Sequence, residues 1–348
     1  MSVFPPLTRA DVLAFQFSSW YPLFAALTVK SIIIRPLPAD FRAYLDADGV
    51  FVPMGSDELP VEAVVDDQDD DQDEDDSPQY AFPDLDAQIR AAVRQYGAVF
   101  PKLNFSSPKD ASWLLPSSSP LKCTTPADVY LLLKSSDFIT HDLSAESVFE
   151  GCVDAAPSDV PTYELELVLR KWFAIDRSRE MRCFVQNGVL IGISQRDTNY
   201  YDFLNEPEMQ QKVQESIHKY WRDHIQAKWT ATASYIFDIL LTRDLARFHV
   251  LDFNPYAPRT DALLYTYDEL WDIARTSPSA PTLRVVDSPA HPAATRNAPA
   301  HQHNMVPFEA FSLSSGRGID DFRRAWEEEL SRGVAEDSDS DSAREEAD

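Results

Sequence analysis

Three side chains that carry oxygen donors, Asp238, Asp252 and Asn254, are the strongest chemical signal in the sequence. Residues 235–239 and 250–255 are both apolar and strand-like, and a short break separates them. This pattern predicts a β-hairpin with carboxylates among hydrophobic residues. Because side chains alternate along a strand, Asp252 and Asn254 are expected on the same face.

The same hairpin should bring Asp238 and Asp252 together. If the turn centres near Leu245, the two residues lie directly opposite each other, with Cβ atoms about 4.5–5.5 Å apart. Two carboxylates this close repel each other, so a positive partner is expected between them, and Mg²⁺ prefers such hard oxygen donors. The alternative is a carboxylate that caps the turn or pairs with Arg243 or Arg247.

Basic residues on or beside predicted strands form the second signal. They are Lys102, Arg170, Lys171, Arg182 and Arg196. A cation on an otherwise apolar strand is costly to bury without an anion, and the guanidinium fork suits phosphate. These cations could also form salt bridges with Glu164, Glu180 or Asp197. Cations for phosphates and carboxylates for magnesium are the two halves of a magnesium–nucleotide site.

No glycine-rich phosphate loop accompanies these residues. The sequence has nine glycines and neither a GxxxxGKS/T nor a GxGxxG motif, so a P-loop or Rossmann site is not expected. Side chains and strand faces would therefore have to hold any phosphate. Trp172 and Phe173, which follow Arg170 and Lys171, could cover an adenine ring or belong to the core.

The chain carries a strong negative charge. Its 348 residues, 44% of them hydrophobic, have a formal net charge of −26. Nine acids lie within residues 66–76 and seven within 336–348, and we expect both segments to be disordered. Nucleic acid is a poor partner for such a surface, whereas a basic protein partner fits it.

Cysteine use and hydropathy bear on the cellular compartment. Cys123, Cys152 and Cys183 are widely spaced, which favours a reducing compartment over a disulfide framework or a zinc site. We recognise no signal peptide, and the apolar runs are shorter than a bilayer span. We therefore expect a soluble cytoplasmic protein without a membrane partner.

Hydrophobic periodicity predicts long strands interspersed with helices, which is typical of the α+β class. Asn187-Gly188 is a strong signal for a second hairpin. The predicted strands cover residues 29–34, 99–103, 163–173, 181–185, 189–194 and 283–286. The predicted helical segments cover residues 10–17, 84–96, 128–134, 208–227 and 319–330.

Five segments resemble the signature of a known family. They are 102–110 (KLNFSSPKD), 166–172 (ELVLRKW), 180–185 (EMRCFV), 191–197 (IGISQRD) and 252–255 (DFNP). Their order and length make the chain similar to the cell-division-cycle-123 (D123) family from about Trp20 to Val286. The chain departs from the family pattern at Phe105, where Trp is usual, and at Ala257-Pro258, where Gly-Glu is usual.

The resemblance implies an ATP-grasp-like fold of two lobes, whose mostly antiparallel sheets flank a nucleotide cleft, and binding of ATP with Mg²⁺. It also implies an assembly chaperone for the heterotrimeric eukaryotic translation initiation factor 2. Such a chaperone grips the C-terminal domain of the gamma subunit, promotes joining of the alpha subunit, and so supports translation initiation and the cell cycle. The alternatives are an ATP-grasp ligase that activates a carboxylate as an acyl phosphate, and a scaffold with a vestigial site. The leading hypothesis is a chaperone that is not an enzyme, and the sequence does not decide whether it hydrolyses ATP.

The resemblance also implies roles for individual residues. The residues that would contact the nucleotide are Lys102, Asn104 and Phe105. The residues of the adenine-side hinge would be Arg170, Lys171 and Trp172. Those that would meet phosphates are Arg182 and Arg196. The Mg²⁺ ligands would be Asp238, which also belongs to the nucleotide site, Asp252 and Asn254.

We expect the chain to be a monomer with the following division. Residues 1–65 and 81–165 form the first lobe, with a disordered acidic loop at 66–80 between them. Residues 166–287 form the ATP-grasp nucleotide and magnesium lobe. Beyond it, we expect a disordered proline-rich insertion at 288–307, a helical segment at 308–332 and a disordered acidic tail at 333–348.

Overall fold

The computed structural model describes residues 3–57, 80–115, 119–154, 163–276 and 278–292. The predictions for the acidic loop, the C-terminal helical segment and the acidic tail lie outside these ranges, as does most of the proline-rich insertion. Within the described ranges, no helix is both long enough and apolar enough to cross a membrane.

The predicted strands appear in the described ranges in their predicted order, together with helices at Phe41–Asp46, Thr140–Leu143, Ala145–Val148 and Tyr267–Arg275 that the sequence pattern did not predict. The strands are β1 Ser31–Ile34, β2 Val99–Lys102, β3 Leu167–Lys171, β4 Glu180–Gln186, β5 Val189–Gln195, β6 Tyr235–Leu241, β7 Phe248–Pro255 and β8 Thr282–Arg284. The helices are α1 Arg9–Ala14, α2 Phe17–Phe24, α3 Phe41–Asp46, α4 Pro83–Tyr96, α5 Pro126–Lys134, α6 Thr140–Leu143, α7 Ala145–Val148, α8 Pro207–Tyr220 and α9 Tyr267–Arg275.

A small antiparallel sheet of order β1-β3-β2 links the two main hydrophobic cores. Its central strand, β3, is buried on both faces. Leu167 and Leu169 pack into the core that also contains residues of α3, α4 and α5, whereas Val168 packs into the core of the large sheet. This small sheet therefore lies directly against the rest of the molecule.

The large sheet has the order β7-β6-β4-β5-β8 and is antiparallel except for the parallel pairing of β8 with β5. Both predicted hairpins are present. The turn between β4 and β5 uses Asn187 and Gly188, with φ of 51° and 75°, as a tight two-residue hairpin requires. The predicted α+β class with mostly antiparallel sheets is confirmed.

The two faces of the large sheet differ in character. Phe237 and Ile239 of β6 face the main core, to which Val213 of α8 also belongs. Ile236, on the opposite face, belongs to a smaller cluster with Leu270 of α9. Polar residues share this second face with the smaller cluster, and they form the candidate site.

The N-terminal helices cover the outer strand of the large sheet. Trp20 and Phe24 of α2 are fully buried, and their rings lie 5.4 and 4.9 Å from that of Phe253 on β7. These two aromatic residues are therefore part of the core.

Two predicted helices differ in detail from the structure. The segment 10–17 is divided between α1 and α2, because the chain turns so that the Phe17 N–H donates to the Asn104 carbonyl, 2.9 Å away. The predicted helix at 208–227 is α8, which ends at Tyr220 and continues as a π-helical turn over Trp221–Ile225.

Candidate functional site

Asp238 and Asp252 form a directly paired couple on β6 and β7, as the hairpin pattern predicts. Asp238 is almost fully buried. Arg182, its neighbour on β4, donates from Nε to Asp238 Oδ1 at 2.8 Å and from Nη2 to Oδ2 at 2.9 Å. The expected positive partner is therefore this arginine, and Asp238 forms no ion pair with Arg243 or Arg247 in the described structure.

All three side-chain nitrogens of Arg182 donate hydrogen bonds to protein atoms. Its Nη1 donates to the carbonyl of Asp261 at 2.7 Å. Burial lowers the pKa of Arg182, but the contact with Asp238 outweighs this effect and raises it above its ordinary value. Arg182 was predicted to meet phosphates, and in this geometry it acts first as the clamp that holds Asp238.

Arg196 is the second cation on Asp238 and is more accessible. Its Nε donates to Asp238 Oδ2 at 3.2 Å, and its Nη1 donates to Glu180 Oε2 at 2.9 Å. About a quarter of its side chain, 24%, reaches solvent. The structure therefore confirms the ion-pair alternative for Glu180 while leaving Arg196 at the surface of the cluster, where an anion can approach it.

The surrounding cations determine the charge state of Asp238. Burial alone raises the pKa of a carboxylate. Here the charges of Arg182 and Arg196, together with the hydrogen bonds from Arg182, outweigh burial and hold the pKa of Asp238 well below its usual range. Asp238 is thus a permanent anion at neutral pH.

Lys109 is a further cation at this cluster, and no role was expected for it from the sequence. Its ammonium group interacts electrostatically with Arg196, Glu180, Asp238 and Asp252. Protein atoms around it and the positive charge of Arg196 lower its pKa, although the residue stays accessible to water. The sequence signal that could have identified Lys109 is its position in the segment 102–110, which resembles the family signature.

Asp252 is bound by a cation from the other sheet. Lys102 of β2 is 1% exposed, and its Nζ donates to Asp252 Oδ2 at 2.9 Å. The same Nζ donates to the carbonyl of Phe105. This ion pair joins the small sheet to the large one at the candidate site.

The loop after β2 is fixed by two polar side chains. Asn104 is fully buried. Its Nδ2 donates to the Glu164 carbonyl at 2.8 Å, and its Oδ1 accepts from the Glu166 N–H at 2.9 Å. Asp142 of α6 accepts from the N–H groups of Phe105 and Ser106 at 2.7 and 2.9 Å. Asn104 therefore positions the loop.

Phe105 and Asp142 complete this arrangement. The Phe105 ring stacks on Tyr163 with centroids 6.5 Å apart, a contact that does not require the indole N–H of the usual Trp. Asp142 has no motif around it, and it comes to the site through the fold alone, so sequence reasoning missed it.

The three predicted hinge residues do not share one surface. Arg170 is buried, and its Nη1 donates to the Leu251 carbonyl of β7 at 2.7 Å. Lys171 is exposed. Trp172 donates from Nε1 to the Pro120 carbonyl at 2.9 Å, and the Lys122 ammonium lies 5.3 Å from its ring centre. Lys171 and Trp172 are available to a ligand, whereas the guanidinium of Arg170 is directed into the protein.

The oxygen donors fit a hard divalent cation that shares its coordination with phosphate and water. Asp252 Oδ2 accepts from Lys102 and Oδ1 from the Phe253 N–H at 3.2 Å, which leaves acceptor capacity on both atoms. Asn254 is half-buried, and its side chain makes no hydrogen bond within the described residues. The described ranges contain no group of three or more His, Cys, Asp or Glu residues placed to hold a metal.

Two mostly antiparallel sheets that meet at the ion pair between Lys102 and Asp252 define an α+β protein. The model of the D123 family matches residues 20–314. The chain therefore belongs to the D123 family, as its motifs indicated.

Relatives and a solved structure agree with this assignment. The chain is 37% identical over 331 residues to the translation initiation factor eIF2 assembly protein of Schizosaccharomyces pombe, covering 92% of this chain and 97% of that one. It is 38% identical over 301 residues to the protein of the same name from Xenopus tropicalis, covering 81% and 86%. The solved structure of C-terminally truncated Cdc123 from S. pombe has a TM-score of 0.65 at 36% identity and covers 82% of this chain and 100% of that one.

Proposed function

We propose that this chain is an ATP-binding chaperone that promotes assembly of the translation initiation factor eIF2. Relatives that cover most of the chain are named eIF2 assembly proteins. The structural observation that supports nucleotide binding most strongly is the contact of Lys102 with Asp252. An ammonium group, which can bind phosphate, and a carboxylate, which can bind a metal ion, thus lie together where the two sheets meet.

In this proposal, ATP lies between the sheets with its phosphates toward Arg196 and Lys109. Both cations are accessible to water while lying beside the anionic pair. Oxygens of Asp252 and Asn254, with the remaining lone pair of Asp238, would hold Mg²⁺, which would neutralise phosphate charge. Arg182 would keep Asp238 in place.

The adenine would lie near Lys171 and Trp172, where one exposed and one half-buried side chain follow β3. Lys102 would move between Asp252 and a phosphate oxygen, since its ammonium has three donors. Asn104 and Phe105 would act through the shape of the loop rather than by donating to the ligand.

The partner in this proposal is the gamma subunit of eIF2, bound through its C-terminal domain by a monomeric chaperone in the cytoplasm. ATP would favour one arrangement of the two sheets, and the gamma subunit would bind that arrangement more tightly. The coupling is reciprocal, because each ligand must then strengthen binding of the other.

Titration of the purified gamma C-terminal domain, with and without Mg-ATP, tests this function. We expect binding that Mg-ATP tightens in the wild type and leaves unchanged in Asp252→Ala. The matched control is Glu208→Ala, which removes an exposed carboxylate on α8 and should behave as wild type. Absence of gamma binding under all conditions contradicts the proposal, and ATP turnover that requires a carboxylate and an amine substrate would instead establish the ligase alternative.

A further inference from the structure

A β-bulge interrupts β7 immediately before Asp252. Asp238 pairs with Asp252 and the next residue of β6, Ile239, pairs with Val250. Leu251 is therefore an extra residue on β7 without an opposite partner. Bulges bend a strand and redirect the side chains that follow.

The bulge decides which residues of β7 enter the core. Val250 and Phe253 both belong to the main core, although their odd spacing would place them on opposite faces of a regular strand. If residues 250–254 formed a regular strand without the bulge, Asp252 and Asn254 would share the face of Val250 and enter the hydrophobic core. The bulge at Leu251 thus directs both polar side chains to the site.

Arg170 of β3 binds the backbone that the bulge leaves unpaired. Its Nη1 donates to the Leu251 carbonyl at 2.7 Å, and its Nη2 donates to Thr28 Oγ1 at 3.0 Å. The Thr28 hydroxyl in turn donates to the Val250 carbonyl at 2.5 Å, and the Val250 N–H donates to the Leu27 carbonyl at 2.8 Å. Two consecutive carbonyls of β7 are therefore held from outside the large sheet.

The environment of Arg170 is unusual for a guanidinium. It is 4% exposed and has no carboxylate within ion-pair distance among the described residues. The rings of Phe17 and Phe100 lie 5.3 and 5.4 Å from its guanidinium carbon. Burial lowers its pKa to about 10, with Asp252 opposing that shift. Burying a charged group in this way costs free energy. The hydrogen bonds of Arg170 to the Leu251 carbonyl and to Thr28 offset part of that cost.

We propose that Arg170 is a positioning residue, which fixes the Leu251 bulge and so directs Asp252 and Asn254 out of the core and toward the ligand. The metal-binding part of this inference rests on the Mg-ATP site proposed above. Arg170 acts from behind β7, through the backbone, and does not touch the nucleotide. Lysine cannot replace it, because Arg170 reaches its two acceptors with two separate nitrogens held in a fixed plane, whereas lysine has a single donor nitrogen.

Hydrogen exchange of the ligand-free protein tests the structural half of the inference. In Arg170→Lys, the amides of residues 250–254 should exchange about tenfold faster or more, which is the effect of losing one charged hydrogen bond. The strands β4 and β5 should keep wild-type exchange. The matched control is Arg259→Lys, because Arg259 also donates from Nη1 to a backbone carbonyl, that of Val148, at 2.9 Å.

The magnesium dependence of ATP binding tests the functional half. Arg170→Lys should raise the Mg²⁺ concentration for half-maximal enhancement of ATP binding about tenfold, while ATP affinity in EDTA stays unchanged. Thr28→Val removes only the bridging hydroxyl and should shift both readouts in the same direction by less. It carries both tests if Arg170→Lys fails to fold.

The outcomes separate the two proposals. Wild-type exchange across 250–254 in the variants overturns the role of Arg170, whatever nucleotide binding shows. Faster exchange with an unchanged magnesium dependence overturns it as well, since the bulge then does not direct the ligands. A wild type that binds no Mg-ATP overturns the proposed function, while the exchange experiment still decides whether Arg170 holds the bulge.

Discussion

Asp238 and Asp252 lie directly opposite each other on neighbouring strands, yet each is bound by a cation from a different part of the fold. Arg182 reaches Asp238 from the adjacent strand of the same sheet, and Lys102 reaches Asp252 from the small sheet. One carboxylate is therefore fixed within the large sheet. The other carboxylate, that of Asp252, is held by a contact between the two sheets.

The buried pair of Arg182 and Asp238 should be essential for stability. Arg182→Ala removes two of the three hydrogen bonds that Asp238 accepts and the closer of its two ion-pair partners, and breaking a buried pair typically costs about 3–5 kcal/mol. Denaturant unfolding measures this change. The control is Arg284→Ala, because Arg284 also makes two hydrogen bonds to one carboxylate, that of Glu269, at 2.8 Å each. That pair is much more accessible to solvent than the pair of Arg182 and Asp238, so the loss should be about 1 kcal/mol or less. Equal losses at the two sites would contradict the special role of burial.

The low pKa of Asp238 predicts a specific acid sensitivity. Because the folded-state pKa lies below the unfolded value of about 3.9, the stability from this group is complete above that value. It is lost as the pH falls through the lower folded-state pKa. The difference in unfolding free energy between wild type and Asp238→Asn should therefore be constant from pH 7 to about 5 and shrink below about 4.

The control for this pH series is Asp272→Asn. Asp272 is exposed, and its ion pair with Arg275 is long, at 3.9 Å, and exposed to solvent. Its difference from wild type should stay small at every pH. A gap between wild type and Asp238→Asn that widens as the pH falls would contradict the assigned direction of the pKa shift.

Asp142 should support the site through the loop after β2. Asp142→Ala leaves the N–H groups of Phe105 and Ser106 without their acceptor, and we expect a loss of about 2–3 kcal/mol in unfolding free energy. ATP affinity should fall as well, because the Phe105 carbonyl helps to hold Lys102. Asp176→Ala is the matched control, since Asp176 accepts the Ser178 N–H and hydroxyl near the surface. A wild-type ATP affinity in Asp142→Ala would contradict this role.

Arg196 should contribute to phosphate binding rather than to adenine binding. Arg196→Ala is expected to weaken ATP about tenfold to a hundredfold, as the loss of a charged contact does, while AMP changes little. Isothermal titration with both nucleotides measures the difference. Lys212→Ala, which removes an exposed ammonium 3.9 Å from Glu208, should leave both affinities unchanged. Equal weakening of ATP and AMP would place Arg196 away from the terminal phosphates.

Local patterns were sufficient to predict the hairpins. Alternation and the break near Leu245 gave the pairing of Asp238 with Asp252, and Asn187-Gly188 gave the turn between β4 and β5. These features depend on residues that are close in sequence. The β-branched and apolar character of the strands was enough to fix them.

The partners of the site residues could not be read from local patterns. Arg182 was a candidate for phosphate, but its neighbour across the sheet depends on the order of strands, which no local pattern states. The bulge at Leu251 is invisible without the register, and therefore so is the direction of Arg170. Asp142 reaches the loop after β2 from 36 and 37 residues away in sequence. Long-range pairing decided these outcomes.

The most direct test is isothermal titration of ATP into the protein, in Mg²⁺ and in EDTA, for the wild type and Asp252→Ala. We predict that Mg²⁺ strengthens ATP binding to the wild type by about tenfold or more, and that Asp252→Ala loses this enhancement but keeps its affinity in EDTA. Wild-type affinity that is the same in Mg²⁺ and EDTA, or an Asp252→Ala protein that keeps the full enhancement, would contradict a magnesium–nucleotide site between the two sheets.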